Sequence, residues 1–262
     1  MTDTAGTPRA RARIGEAWFD SMTCSQAIDA IEHLVESGAG GFVVTPNVDH
    51  VVNLERDPAL RQAYEAASLA LVDGQPLVWA SRLLGAPLPE RVAGADLVPL
   101  LMERAARHHW RVYLVGAGPG VAEMAAEKLR RIGVEIVGTD APLLSSRVDP
   151  AESIAVVERI RRARPNLVLV AFGAPKQERW MFQVQEQIRP AVSIGVGAAL
   201  DFVAGRVKRA PRWMSRSGLE WLFRLSQEPH RLWRRYLVND PRFLLILLRT
   251  LRLPRAARVR QP

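Results

Sequence analysis

Two hydrophobic patterns alternate along the first 205 residues. Short runs rich in β-branched and apolar residues, often edged by glycine, predict buried strands at Gly41 to Val44, Leu69 to Val72, Arg111 to Val115, Val134 to Val137, Leu167 to Phe172 and Val192 to Val196. Between them, apolar positions recur every three or four residues. Thr23-Cys24-Ser25-Gln26 has capping-box spacing, and Ile28, Ile31, Leu34 and Val35 follow as one helical stripe. Asp57-Pro58 and Asp149-Pro150 each place proline just inside a helix, running to about Ala67 and Ala163. Further helices are expected near Gln75 to Leu84, over Val121 to Arg131 and from Pro175. Ile14 to Asp20 reads as a short edge strand after a disordered start over residues 1–13, and Pro87 to Gly94 is too rich in proline and glycine to be regular. Strand and helix joined by short connections specify an α/β fold, a parallel sheet with helices on both faces. Ligands of such sheets sit at the carboxyl ends of the strands.

From Arg206 only helices are expected: Ser215 to Ser226, a second from Pro229, and a third after Asn239-Asp240-Pro241 through the apolar stretch Phe243 to Leu253. The organisation is thus a start at 1–13, an α/β core at 14–205 and an all-helical, Arg-rich appendage at 206–262. Trp213, Trp221 and Trp233 are interleaved there with Arg224, Arg231, Arg234 and Arg235. Cationic and aromatic faces on amphipathic helices suit a membrane interface. The competing reading is a helical cap packed on the core, or a contact in a homo-oligomer. No apolar run approaches the roughly 18 residues of a membrane span.

The net charge of +9 and the pI near 10.8 call for an anionic partner, namely nucleic acid, a membrane surface or a phosphorylated substrate. Because the surplus is concentrated in the tail beside tryptophans and apolar helices, a membrane surface fits better than a polynucleotide groove. The single cysteine, Cys24, excludes an internal disulfide and fits a reducing compartment, and the first residues lack the apolar segment of a secretory signal. His33, His50, His108, His109 and His230 show no metal-ligand spacing, so no structural zinc is expected.

Polar residues gather after the strands. Asp73 follows an apolar strand and precedes Gly74, where partial desolvation would raise its pKa and suit a general base; it could equally cap the next helix. Thr45 and Asn47 have the same two readings, and Arg91 is either a site cation or a surface ion pair. The turn Gly173 to Glu178 puts Lys176 and Gln177 at a positive helix N-terminus, and Gly195 to Asp201 brings backbone close to a ligand and follows it with one acid. Gly116, Gly118 and Gly120, with Asp140 after the next strand, resemble a dinucleotide fingerprint imperfectly, which keeps a nicotinamide-dependent oxidoreductase in view. No D-x-D pair is present to carry a metal-bound sugar diphosphate, so Lys, Arg or helix N-termini would have to stabilise a departing diphosphate.

Taken in order, Thr45-x-Asn47, Asp73-Gly74, Glu90-Arg91-x-x-Gly94, Phe172 to Glu178, Gly195-Val196-Gly197 with Asp201, Arg209 to Trp213 and Gly218 to Arg231 resemble the WecG/TagA/CpsF family of glycosyltransferases, over about residue 14 to about residue 240. Two positions depart from its pattern: Ala198 stands where a second glycine is common, and Leu200 where an aromatic is. The resemblance implies a Rossmann-like, GT-E-like core and transfer of a hexose or N-acetylhexosamine from a UDP-sugar to an undecaprenyl-diphosphate-linked sugar, without metal or cofactor, on the inner face of a bacterial membrane. It implies that Asp73 is the base, that Thr45 and Asn47 line the sugar site, that Arg91 and Gln177 bind substrate or the charged transition state, and that Asp201 with Gly116, Gly173, Lys176 and Gly197 holds UDP. Arg224, Arg231 and Arg234 would close over the site and meet the lipid diphosphate. A single displacement would invert the anomeric centre.

Overall fold

The computed structural model describes residues 9–142 and 150–260; Asp149, expected to cap a helix, lies outside them. The chain opens with β1 (Arg11–Ile14) and β2 (Ala17–Asp20), then α1 (Cys24–Glu36), β3 (Gly41–Val44), α2 (Val48–Leu54), α3 (Pro58–Ala66), β4 (Leu69–Ala70), α4 (Gln75–Leu83) and α5 (Gly94–Arg107). It continues through β5 (Arg111–Gly116), α6 (Val121–Arg131), β6 (Glu135–Asp140), α7 (Pro150–Ala163), β7 (Leu167–Ala171), α8 (Lys176–Ile188), β8 (Val192–Gly195) and α9 (Ala199–Ala204). The C-terminal part holds α10 (Arg212–Arg216), α11 (Glu220–Gln227), α12 (Pro229–Arg234), a π-helical turn (Arg235–Asn239), a 3₁₀ turn (Asp240–Arg242), α13 (Phe243–Leu251), α14 (Arg255–Arg258) and β9 (Val259–Arg260).

Six strands form one parallel sheet in the order β4-β3-β8-β7-β5-β6. The central strands β3, β8 and β7 alternate between two buried faces. Leu167 and Leu169 join the core under α1, α5, α6 and α9, whereas Val168 and Val170 join the opposite core under α2, α3, α4, α7 and α8. Every residue of β7 is therefore apolar, as a strand covered on both sides requires. β4 is paired only over Leu69–Ala70, but Leu71 N donates to Val44 O at 2.9 Å and Asp73 N to Pro46 O at 2.8 Å, so the ladder carries Asp73 to the carboxyl edge beside Asn47.

Several expectations are corrected. Order begins before residue 14: Arg11–Ile14 pairs with Ala17–Asp20 as an antiparallel hairpin, turning at Gly15 with φ +60°. Four helices escaped the sequence reading, among them the short α9 and α14. α2 is seven residues long and its N-cap is Asn47; α5 starts at Gly94 directly out of the irregular loop and carries Pro99 in its first turns. The helix expected over Ser215 to Ser226 is split into α10 and α11 at Gly218, where φ is +68° and a Cβ would come within 2.8 Å of the Trp79 ring.

The C-terminal part is neither purely helical nor detached. β9 adds a third strand to the hairpin through Arg11↔Arg260 and Ala12↔Val259, Arg258 donates to Leu84 O at 2.6 Å, and Thr250 Oγ1 accepts from Gly15 N at 2.9 Å. Ile246 of α13 is buried in the core beside Val51 and Leu54. Ile246→Ala should accordingly lower the unfolding free energy by about 2–5 kcal/mol, read as a shifted denaturant midpoint; a change under about 0.5 kcal/mol would mean that α13 is not part of the folded unit.

Candidate active site

The carboxyl ends of β3, β4, β8, β7 and β5 open onto a cleft of about 950 Å³. Beside it lies a smaller pocket of about 370 Å³ walled by the C-terminal residues Ser215, Trp221, Tyr236, Asp240, Pro241 and Phe243. Four side chains line both cavities: Asn47, Asp73, Arg224 and Arg235. Asp73 sits where the two spaces meet.

Each side chain arrives for a local reason. Thr45, one residue past β3, is buried and donates its hydroxyl to Gly195 O at 2.9 Å, tying β3 to β8 at the floor of the large cleft. Asn47 caps α2, accepting from His50 N at 3.4 Å. Gly74 leaves β4 with φ +157°, a conformation that favours glycine, and swings the chain into α4 immediately after Asp73. The α4 N-cap is Gly74, and it makes no side-chain cap, so Asp73 is not the cap of that helix. Arg91 is held in the protein rather than on its surface, donating to Glu220 at 2.8 Å and Asp96 at 2.6 Å. Arg209 also reaches Asp96.

The electrostatics separate the acids by role. Burial lifts the Asp73 carboxyl to about 6, with Glu220 adding to the rise and Arg91, His50 and Arg224 opposing it. Asp240, delivered by the C-terminal part, rises to about 7 by burial against the opposing pull of Arg235. A carboxyl that titrates near neutrality at the junction of two cavities can accept a proton at physiological pH. Lys176, Arg206, Arg224 and Arg235 supply positive charge to the large cleft, the last two at its junction with the smaller pocket, and the N-terminus of the 13-residue α8 points in with Gln177 in its first turn.

Of the residues singled out from the sequence, Thr45, Asn47, Asp73, Gly173, Lys176, Gln177, Gly197, Asp201 and Arg224 line the large cleft, and Arg91 lines the small pocket. Gly116 does not reach the cleft: φ is +97° and a Cβ there would strike Phe172 and Ala171, so its glycine serves packing while Ala117 and Gly118 face the cavity. Arg234 is exposed with its guanidinium over Trp233 at 5.8 Å, outside both cavities. Arg231 lies on α12, and its side chain is outside the described set. Asp140 is engaged by Arg159 at 2.7 Å and Tyr113 at 2.7 Å, and it lines neither cavity.

Sequence reasoning missed Arg235, which opens the π-helical turn, donates to Asn47 Oδ1 at 2.9 Å and lies 3.6 Å from Asp49. Its signal, the pair Arg234-Arg235, was in view, but the π turn that aims the second of them inward is not written in a 3.6-residue period. His50 and Glu178 were also missed; His50 stands three residues after Asn47, at the reciprocal capping position. Among the described residues, one carboxylate-imidazole group with metal-like spacing exists, Glu32, Glu36 and His108; it lines neither cavity, and Glu32 is bonded to Arg104.

A family model described as the glycosyl transferase WecG/TagA/CpsF family matches residues 12–257. Two relatives carry the name N-acetylglucosaminyldiphosphoundecaprenol N-acetyl-beta-D-mannosaminyltransferase. The protein of Bacillus spizizenii is 32% identical over 231 residues, covering 86% of this chain and 87% of the relative. That of Bacillus subtilis (strain 168) is 32% identical over 225 residues, covering 85% of each.

Proposed function

Because the chain belongs to the WecG/TagA/CpsF family of glycosyl transferases, we propose that it moves an N-acetylhexosamine, of the N-acetylmannosamine class, from a UDP-sugar to an undecaprenyl-diphosphate-linked sugar. The observation that carries this reading is the position of Asp73 on the seam between a large cleft and a smaller pocket. A transferase of this kind must hold two substrates and put one base between them.

The cleft suits the donor. Its floor is backbone and small residues, Ala117, Gly118, Gly173 and Gly197, and its cations stand where a diphosphate would lie. The smaller pocket suits the acceptor sugar, because apolar Trp221, Tyr236, Pro241 and Phe243 give a sugar face something to stack on and the charged wall offers hydrogen bonds. Asp73 takes the proton of the acceptor hydroxyl as its oxygen attacks the anomeric carbon. The bond from that carbon to the diphosphate breaks in the same step, and its electron pair leaves on UDP. One displacement inverts the anomeric centre. Arg91 lies on the acceptor side of Asp73 and opposes its neutralisation, while Lys176, Arg206, Arg224 and Arg235 meet the charge that grows on the departing diphosphate.

With protein cations supplying the stabilisation, transfer should proceed without a divalent ion. Incubation of the enzyme with UDP-N-acetylmannosamine and a short-chain lipid-diphosphate N-acetylglucosamine, followed by mass spectrometry of the lipid, should give a disaccharide product at rates within twofold with and without EDTA. A chelator-sensitive rate would remove the metal-independent mechanism; absence of product with any UDP-sugar would remove the substrate assignment. The long-chain acceptor would be met at the inner face of the bacterial plasma membrane, with the protein bound peripherally. Among the described residues no helix is long and apolar enough to cross a membrane.

A further inference from the structure

We propose that the buried Glu178–His50 pair fixes the orientation of two amides, Gln177 and Asn47, so that the cleft recognises the 2-acetamido group of the transferred sugar. This rests on the reading of the large cleft as the sugar-nucleotide site.

Glu178 is 0% exposed, Gln177 3% and His50 4%. A carboxylate at that depth requires donors, and an ionised one can only accept. Glu178 Oε1 takes two: Gln177 Nε2 at 2.8 Å and His50 Nε2 at 3.2 Å. The carboxylate therefore dictates which end of the Gln177 amide turns toward it. The other end, Oε1, is buried without a partner among the described residues, in a side chain that lines the cleft. Gly195 makes room for this arrangement, since a Cβ there would come within 2.9 Å of Gln177 Nε2.

The same pair sets Asn47. His50 stands between two acceptors, with Nε2 3.2 Å from Glu178 Oε1 and Nδ1 2.8 Å from Asn47 Oδ1, and a ring that donates at both nitrogens turns the Asn47 oxygen toward itself. Asn47 Oδ1 in turn accepts from Arg235 at 2.9 Å and from His50 N at 3.4 Å. Its oxygen is thus assigned to protein donors, and the group Asn47 can offer a ligand is the Nδ2 amino group. The cleft consequently meets its sugar with one fixed acceptor, Gln177 Oε1, and one fixed donor, Asn47 Nδ2. Those two are the complement of a secondary amide, whose N–H and C=O point opposite ways. A hydroxyl at the same sugar carbon is too small to satisfy both amides, and a site built on polar partners discriminates against a ligand that leaves one unpaired. Glu178 and His50 touch no substrate; they are positioning residues.

The test is calorimetric and does not depend on transfer. The wild-type protein should bind UDP-N-acetylmannosamine about tenfold or more tightly than UDP-mannose. Glu178→Gln lets either end of Gln177 face residue 178; this variant should bind UDP alone within twofold of wild type while the preference for the acetamido donor shrinks at least fivefold. An unchanged preference in Glu178→Gln with normal UDP binding would overturn the inference, because a general structural role would not spare selectivity. Should the variant fail to fold, the wild-type comparison still decides, since equal affinity for the two donors overturns it. A wild type that shows the preference yet transfers to no lipid acceptor would leave the inference standing and remove the proposed reaction.

Discussion

Asp73→Asn should lower transfer by about 10²–10⁴-fold, the contribution of a positioned general base, while UDP affinity stays within about twofold. The substitution keeps the shape of the side chain at the seam of the two cavities and removes only its capacity to take a proton. In the wild type, kcat/KM should fall on the acid side of about pH 6, where the buried carboxyl becomes protonated, and this limb should be missing from the residual activity of the variant. The sign on stability runs the other way from that of an ion-paired acid. Because burial raises the folded carboxyl above its ordinary value of 3.8, the folded state holds the extra proton between about pH 4 and 6, and the burden of a buried charge sets in as the pH rises through that window. Asp73→Asn should therefore gain thermal stability relative to wild type at pH 7 compared with pH 4. A variant that transfers at the wild-type rate, or one whose pH limb is unmoved, would take the base assignment away from Asp73.

How much of this was legible before the structure depends on which physical signal each part uses. The sheet strands announce themselves because a strand covered on both faces must be apolar throughout, as Leu167 to Ala171 is, and all six were expected near their observed places. α2 and α5 did not, for different reasons. α2 is only seven residues long, too short for its apolar positions to show a period; α5 begins at Gly94 and holds Pro99 as its sixth residue, both of which weaken any helix signal. At the site, the residues legible in sequence are those standing directly after a strand, Thr45, Asn47, Asp73, Gly173 and Gly197, because strand ends are where a parallel sheet delivers its chemistry. Arg235, Asp240 and Glu220 arrive from the C-terminal part through a π turn, a 3₁₀ turn and a break at Gly218, and no periodicity carries the direction of a side chain across such irregular backbone. Arg234 was favoured over its neighbour on the family resemblance; in the structure it is exposed over Trp233 instead. Ile246 was missed as core because Phe243 to Leu253 is apolar nearly all round, which hides the face that packs.

That same all-round apolarity leads to the second large effect. Replacing Leu244, Leu245 and Leu248 together with serine should reduce binding to vesicles rich in anionic lipid by about a thousandfold, measured by sedimentation. All three are exposed, at 61%, 69% and 48%, while Ile246 and Thr250 on the other side of α13 are buried, so the helix is already anchored and the leucines remain outside the core. Trp233 on α12 and Leu237 and Val238 in the π turn are exposed apolar residues as well. Moving a leucine side chain from water into an acyl environment is worth about 1.5 kcal/mol at half burial, hence roughly 4 kcal/mol for three, which is the thousandfold. The flanking Arg242, Arg249 and Arg252 contribute on the order of 1 kcal/mol each near an anionic surface, so wild-type binding should weaken on neutral vesicles and at high salt. Exposed residues contribute little to the core, and the triple variant should keep the melting temperature and the rate on a water-soluble acceptor while losing the rate on vesicle-bound acceptor. Unchanged sedimentation would reject membrane docking through α13. If instead the wild type sediments through a centrifuge as a dimer and the variant as a monomer, the leucines cover one another across two copies, which is the other way a helix can justify so much apolar surface in water.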